Sequence, residues 1–249
     1  MKPQYDYSRY AYDRKSPPPK HVKLRILVVA FGVGAVAALC CYLFFPTTQN
    51  ISVFEARYYA AELKKFDTLR DAEAFASQIK TRTAAGFLVR CGTEYRVLGG
   101  VYLCRADCTA VVEKNRGTEF DACLYEIVTP SGQITCEGGY DVRSLRNAVT
   151  RMQSLPQELY RQTAEFAATG DASVVARELH ATAKQFQWDV PADVPSKDVP
   201  MWEHWQAGCQ RLAERLGTVA QNPTLSELRH LNLECIFLFR ALCSETKGA

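Results

Sequence analysis

Residues Ile26 to Phe45 form an uncharged, almost wholly apolar run of 20 residues, closed by Pro46 and preceded by a basic stretch. As a helix rising ~1.5 Å per residue, a run of this length crosses the ~30 Å hydrocarbon core of a bilayer. A cleaved signal peptide has a shorter apolar stretch of roughly 7–15 residues with a small-residue cleavage site after it. Here the Ala35-Val36-Ala37 pattern lies inside the run, and neither Cys40, which follows Leu39, nor Cys41 has the small residue before it that lipid attachment requires. An uncleaved transmembrane helix over 26–45 is therefore expected, and the rest of the chain must fold beside a membrane.

Orientation follows from charge, because Lys and Arg are retained on the cytoplasmic side. Lys2, Arg9, Arg14, Lys15, Lys20, Lys23 and Arg25 precede the run, whereas Pro46 to Phe54 carries no charge. The amino terminus is expected in the cytoplasm and residues 46–249 outside it. The overall charge of +3 conceals this asymmetry: residues 1–25 hold seven basic residues against Asp6 and Asp13, a net of +5, leaving −2 for the remainder. No basic patch for nucleic acid is present. Residues 1–25, with repeated tyrosines and Pro17-Pro18-Pro19, lack apolar periodicity and read as a disordered cytoplasmic tail.

Ten cysteines are many for 249 residues, and eight of them (Cys91, Cys104, Cys108, Cys123, Cys136, Cys209, Cys235, Cys243) follow the apolar run. An oxidising compartment would favour disulfides. No Cys-x-x-Cys occurs, however, and His21, His180, His204 and His230 do not flank the cysteines at zinc-ligand spacing. Several thiols occupy positions that periodicity assigns to the core, where a free thiol acts as a small hydrophobe. Buried thiols are expected, with no metal and no cofactor.

After a linker over 46–56, residues 57–129 alternate strand and helix signals. Arg57 to Phe66 reads as a strand; Thr68 caps a helix to Lys80 with Leu69, Ala72, Phe75, Ala76 and Ile79 on one face. Gly86 to Cys91 and Glu94 to Leu103 pair as a hairpin across Gly92-Thr93, Asp107 to Lys114 is a short helix ended near Gly117, and Asp121 to Thr129 is a last strand. The fold class is thus α+β, with a ferredoxin-like β-α-β-β-α-β layer. Two helices cover one face of such a sheet and leave the other open.

The stretches Tyr59-Ala60-Ala61-Glu62-Leu63-Lys64-Lys65-Phe66, Leu69-Arg70-Asp71-Ala72-Glu73-Ala74-Phe75-Ala76 and Tyr95-Arg96-Val97-Leu98-Gly99-Gly100-Val101-Tyr102-Leu103, followed by Ala106-Asp107, resemble a SPOR domain. That family has a Val-Gln-Leu-Gly-Ala-Phe-like strand, a helix carrying Ala-Glu-Ala, and a Tyr-Arg-Val-x-x-Gly-x-Phe-like strand. The resemblance covers about 70 residues, under a third of the chain. It implies a bacterial cell-envelope protein of the plasma membrane that binds peptidoglycan glycan strands stripped of stem peptides, on the helix-free sheet face, at division or sporulation sites. With Leu63 and Val97 turned to the helices, period-2 alternation puts Tyr58, Glu62, Lys64, Arg96 and Leu98 on that face as the glycan-binding candidates. Glu62 stands where the family has glutamine, and Lys64 and Lys65 replace small residues. The alternative is therefore an envelope scaffold whose SPOR-like fold no longer binds glycan.

Residues 130–249 read as a helical bundle able to recruit a protein partner or self-associate. Helices are expected from Asp141, from Pro156, from Gly170-Asp171, over about Met201 to Ala220 and over Leu225 to Glu245, with a proline-rich linker at Val190 to Pro200. Short connections make successive helices neighbours. Trp202 and Trp205 share a helical face and read as packing, and Glu203-His204 lacks the second histidine of a metalloprotease. Catalytic-serine and phosphate-loop signatures are absent, so the expectation is recognition with no enzyme activity.

Overall fold

The computed structural model describes residues 48–120, 122–137 and 140–245. The expected span at 26–45 and the tail before it lie outside these residues. Among the described residues, no helix is long and apolar enough to cross a membrane. The molecule is α+β, with antiparallel sheets and interleaved helices followed by C-terminal helices. Strands β1 (Thr48–Val53), β2 (Ala56–Phe66), β3 (Phe87–Cys91), β4 (Glu94–Tyr102), β5 (Cys123–Thr129) and β6 (Gly132–Glu137) alternate with α1 (Leu69–Lys80) and α2 (Arg105–Asn115). The helical layer comprises α3 (Arg143–Thr169), α4 (Ala172–Lys184), α5 (Val199–Gln221) and α6 (Leu225–Glu245).

The main sheet has the order β3-β4-β2-β5. The expected β-α-β-β-α-β succession over β2 to β5 is the one observed, with Gly92 (φ +64°) first in the two-residue turn between β3 and β4, the position that type II′ hairpins reserve for glycine. Thr68 caps α1, its Oγ1 accepting from the Asp71 N–H at 3.2 Å, and Ala72, Ala76 and Ile79 point inward at helical spacing. They pack with Ala61, Leu63, Val97, Cys108 and Val112 into a core between one face of the sheet and the two helices.

The other face is closed as well. Tyr58, Ala60, Leu98, Val101 and Ile127 on the sheet are buried with Leu233 and Ile236 of α6. The expectation of an open helix-free face is thus corrected: α6 has residues to bury on two sides, and the sheet takes one of them. Three successive carbonyls of the loop between α1 and β3 hold the helix in place. Arg229 Nη1 donates to Thr83 O at 2.7 Å, Ser226 Oγ to Ala84 O at 2.7 Å, and His230 Nδ1 lies 3.0 Å from Ala85 O. Phe87 stacks on Phe237 at 5.3 Å and meets the His230 ring edge-on at 5.0 Å.

Two further readings change. The region expected as a linker contains β1, and β6 begins the region expected as bundle; they pair with each other, Ile51 opposite Ile134. Their inward residues Ile51, Val53, Ile134 and Cys136 join the core of the helical layer. Instead of starting a new helix, Pro156 sits inside the continuous 27-residue α3. An internal proline costs about 3 kcal/mol through its missing N–H and ring clash. Burial of Leu155, Pro156 and Leu159, together with donation from Asn232 Nδ2 on α6 to the Pro156 carbonyl at 3.1 Å, outweighs that here. The remaining helices start and end close to expectation; Asp171 Oδ1 caps α4 by accepting from Ser173 N at 2.9 Å. Successive helices α4 and α5 pack together as expected, but α3 packs chiefly on α6, the last helix, rather than on α4, which follows it. Trp202 and Trp205 are fully buried, against Tyr140 and Trp188 and against Phe239 respectively.

Candidate functional site

Of the five residues singled out on the sheet, two lie beneath α6. Tyr58 and Leu98 are buried in the sheet–α6 core, and burial, with a smaller contribution from Cys235, pushes the Tyr58 hydroxyl up to about 12. Lys64 lies on the opposite face, its Nζ 5.6 Å from the Phe66 ring centroid and 5.8 Å from that of Phe75 on α1. The cause is a double irregularity in the β2–β4 ladder: Ala60 pairs with Val101, Glu62 with Leu98, and Lys64 with Val97. Unequal residue counts on the two strands reverse the side-chain alternation, as bulges do. Lys65, opposite Arg96, takes the place that strict period-2 counting assigns to Lys64.

Glu62 and Arg96 do come together. Glu62 Oε2 accepts from Arg96 Nη1 at 3.1 Å, with 1% of the Glu62 side chain exposed against 26% of Arg96. Lys65 Nζ stands 3.7 Å from Glu62 Oε1, and Glu94 lies 3.8 Å from Arg96 Nη2. Tyr125 of β5 covers this pair, its ring centroid 5.6 Å from the guanidinium carbon, and its hydroxyl reaches Cys91 Sγ at 3.7 Å. Burial works against the Arg96 charge, but Glu62 together with Cys91 and Glu94 outweighs it and the guanidinium is held above its ordinary value. Burial, reinforced by Glu62, pushes the Cys123 thiol up to about 11.

The result is a locked charge pair under a half-buried aromatic ring that packs against the sheet–α6 core. It can present one guanidinium edge and a tyrosine to a polar ligand. Arg96 and Cys123 hold their protons more tightly than usual, which suits recognition better than proton transfer. Tyr125 was legible in principle, since Cys123, Tyr125 and Ile127 alternate along β5 toward one face; Lys65 was not, because it depends on the bulge. Among the eight described cysteines, Cys104 is exposed, Cys91 and Cys123 are half-buried, and Cys108, Cys136, Cys209, Cys235 and Cys243 are buried. Among the described residues, no group of three His, Cys, Asp or Glu side chains is placed to hold a metal ion. No protein-family model, curated protein or solved structure matches the chain.

Proposed function

We propose that this chain is a bacterial envelope protein, anchored by residues 26–45 with its amino terminus in the cytoplasm, whose folded part acts outside the cytoplasm as a protein-interaction scaffold without chemistry of its own. The β2-to-β5 layer is read as a ferredoxin-like, SPOR-like domain on the strength of its residue resemblance and strand order. The observation that carries the scaffold reading over glycan binding is the burial of Tyr58 and Leu98 under α6, which removes the sheet centre from contact with any ligand. Anchoring would add effective concentration to contacts that are weak by themselves.

A second reading is favoured by one specific feature. Tyr125, half-buried against the sheet–α6 core, offers with Arg96 an aromatic platform beside a guanidinium, and a glycan strand could be held there while α6 stays docked. Co-sedimentation of the detergent-solubilised chain with cell-wall sacculi, before and after amidase removal of stem peptides, separates the two. The scaffold reading expects no binding to either preparation. Binding that strengthens on stripped glycan and disappears in Arg96→Ala and Tyr125→Ala would replace it with glycan recognition.

A further inference from the structure

A cleft of about 140 Å³ opens beside the end of β4, lined from β4, α3 and α6 by, among others, Gly100, Tyr102, Tyr160, Thr163, Arg229 and Asn232. The rings of Tyr102 and Tyr160 meet edge-on at 6.5 Å. Asn232 is 2% exposed; its Nδ2 is used on the Pro156 carbonyl, but its Oδ1 has no hydrogen-bond partner among the described residues. A buried acceptor left without a donor is costly, and such groups are rare enough that each asks for an occupant. Arg229 lays its stem across Gly100, spends Nη1 on the Thr83 carbonyl, and forms no ion pair among the described residues. It therefore has guanidinium donors left for an anion. The cleft continues past Tyr160 and the exposed Ala164 into a surface groove of about 590 Å³, lined by Leu103, Ser154, Gln157 and Arg161.

Arg229 and Asn232 are three residues apart on one face of α6, so an occupant that reaches both brings an N–H or O–H donor to Asn232, an anion to Arg229 and a small apolar body to the tyrosines. A single guanidinium between apolar walls matches a carboxylate better than a doubly charged phosphate. A sugar would set hydroxyls against Val101 and the tyrosine rings with few polar partners. The geometry points to a site for the carboxyl-terminal end of a peptide: its carboxylate on Arg229, its last amide N–H on Asn232 Oδ1, a small aliphatic side chain against Tyr102 and Tyr160, and the preceding residues along the α3 groove. The free carboxylate is the shared chemistry of a short peptide and of a protein tail. This site is separate from the Glu62–Arg96 pair and stands whether or not the chain is a scaffold.

The test is calorimetric titration of the full chain in detergent with the dipeptide Ala-Ala, with its carboxyl-terminal amide, and with a ten-residue peptide ending in Ala-Ala. Saturable binding of Ala-Ala is expected at millimolar or lower concentration, weakened at least about tenfold by amidation, the loss of one charge-assisted hydrogen bond. Asn232→Leu should abolish it. Ala167→Trp, which obstructs the cleft mouth without touching either polar group, should do the same and keeps the test decisive if Asn232→Leu fails to fold. Binding of the ten-residue peptide as well assigns the site to a protein tail; binding of the dipeptide alone assigns it to a free short peptide. No binding of any peptide, or binding indifferent to amidation and to Ala167→Trp, overturns the site.

Discussion

Glu62 is almost fully enclosed while its two charge partners reach toward water, so the pair is asymmetric in what it loses when broken. Removing one member of a buried pair leaves the other uncompensated, at a cost of about 3–5 kcal/mol; partial exposure of Arg96 puts Glu62→Gln near the lower figure. A Glu62→Leu, Arg96→Leu double variant should recover most of the loss, and chemical denaturation of the four members of the cycle measures the coupling. Additive losses would show that the two charges do not interact. Gly86 makes a second prediction: at φ +56° an added Cβ would stand 2.6 Å from the Ala76 carbonyl oxygen. Gly86→Ala should destabilise by at least about 2 kcal/mol, read as a lower denaturation midpoint, from left-handed backbone strain plus the collision. Both residues show what single positions disclose. Glu62 in the otherwise uncharged stretch Tyr58 to Leu63 was conspicuous in the sequence, whereas the distance from Gly86 to Ala76 exists only after α1 folds back on β3.

Helix α6 has the most consequential placement of any element. Its boundaries were legible, because Asn222-Pro223 stops the preceding helix and Thr224 caps the next, accepting from Glu227 N at 3.1 Å. Its partner was not legible: Leu228, Leu231, Leu233, Cys235, Ile236, Phe239 and Leu242 are all buried and ring most of the helix. A helix apolar on so many sides must be buried on more than one of them, yet nothing in that pattern names the sheet as the second surface. Leu233→Ala combined with Ile236→Ala should cost several kcal/mol, since each large-to-small core change costs about 2–5. Hydrogen exchange should then accelerate in β3 and β4 ahead of α1 and α2. Equal acceleration throughout would mean that α6 is not a separable cover. The ribbon of β1 and β6 was legible only by half: Ile134 and Cys136 alternate with Gln133, Thr135 and Glu137, but a six-residue strand needs a partner, and the paired residues lie 79 to 89 positions apart.

At the scale of the whole molecule, the docking of α6 carries a pH dependence. His230 is held below its ordinary value first by burial and then by Lys80, with the Ala85 carbonyl, Glu227 and Glu234 opposing. A histidine whose pKa is depressed on folding adds stability above its unfolded value, near 6.5, and loses it as pH falls through the folded value. Denaturation midpoints should therefore drop between pH 7 and pH 5, and His230→Asn, which retains a donor for Ala85 without titrating there, should flatten that part of the slope. An unchanged slope would assign the acid sensitivity elsewhere. The order of strands and helices, the caps, the hairpin turn and the buried tryptophans were set by local pattern, since 2.0 and 3.6 periodicities and capping chemistry act over a few residues. Tertiary structure alone decided that α3 runs through Pro156, that a bulge turns Lys64 away from Glu62, and that α6 closes the sheet. Each of these balances a local preference of a few kcal/mol against burial between segments distant in the chain, and that burial energy depends on which surfaces meet.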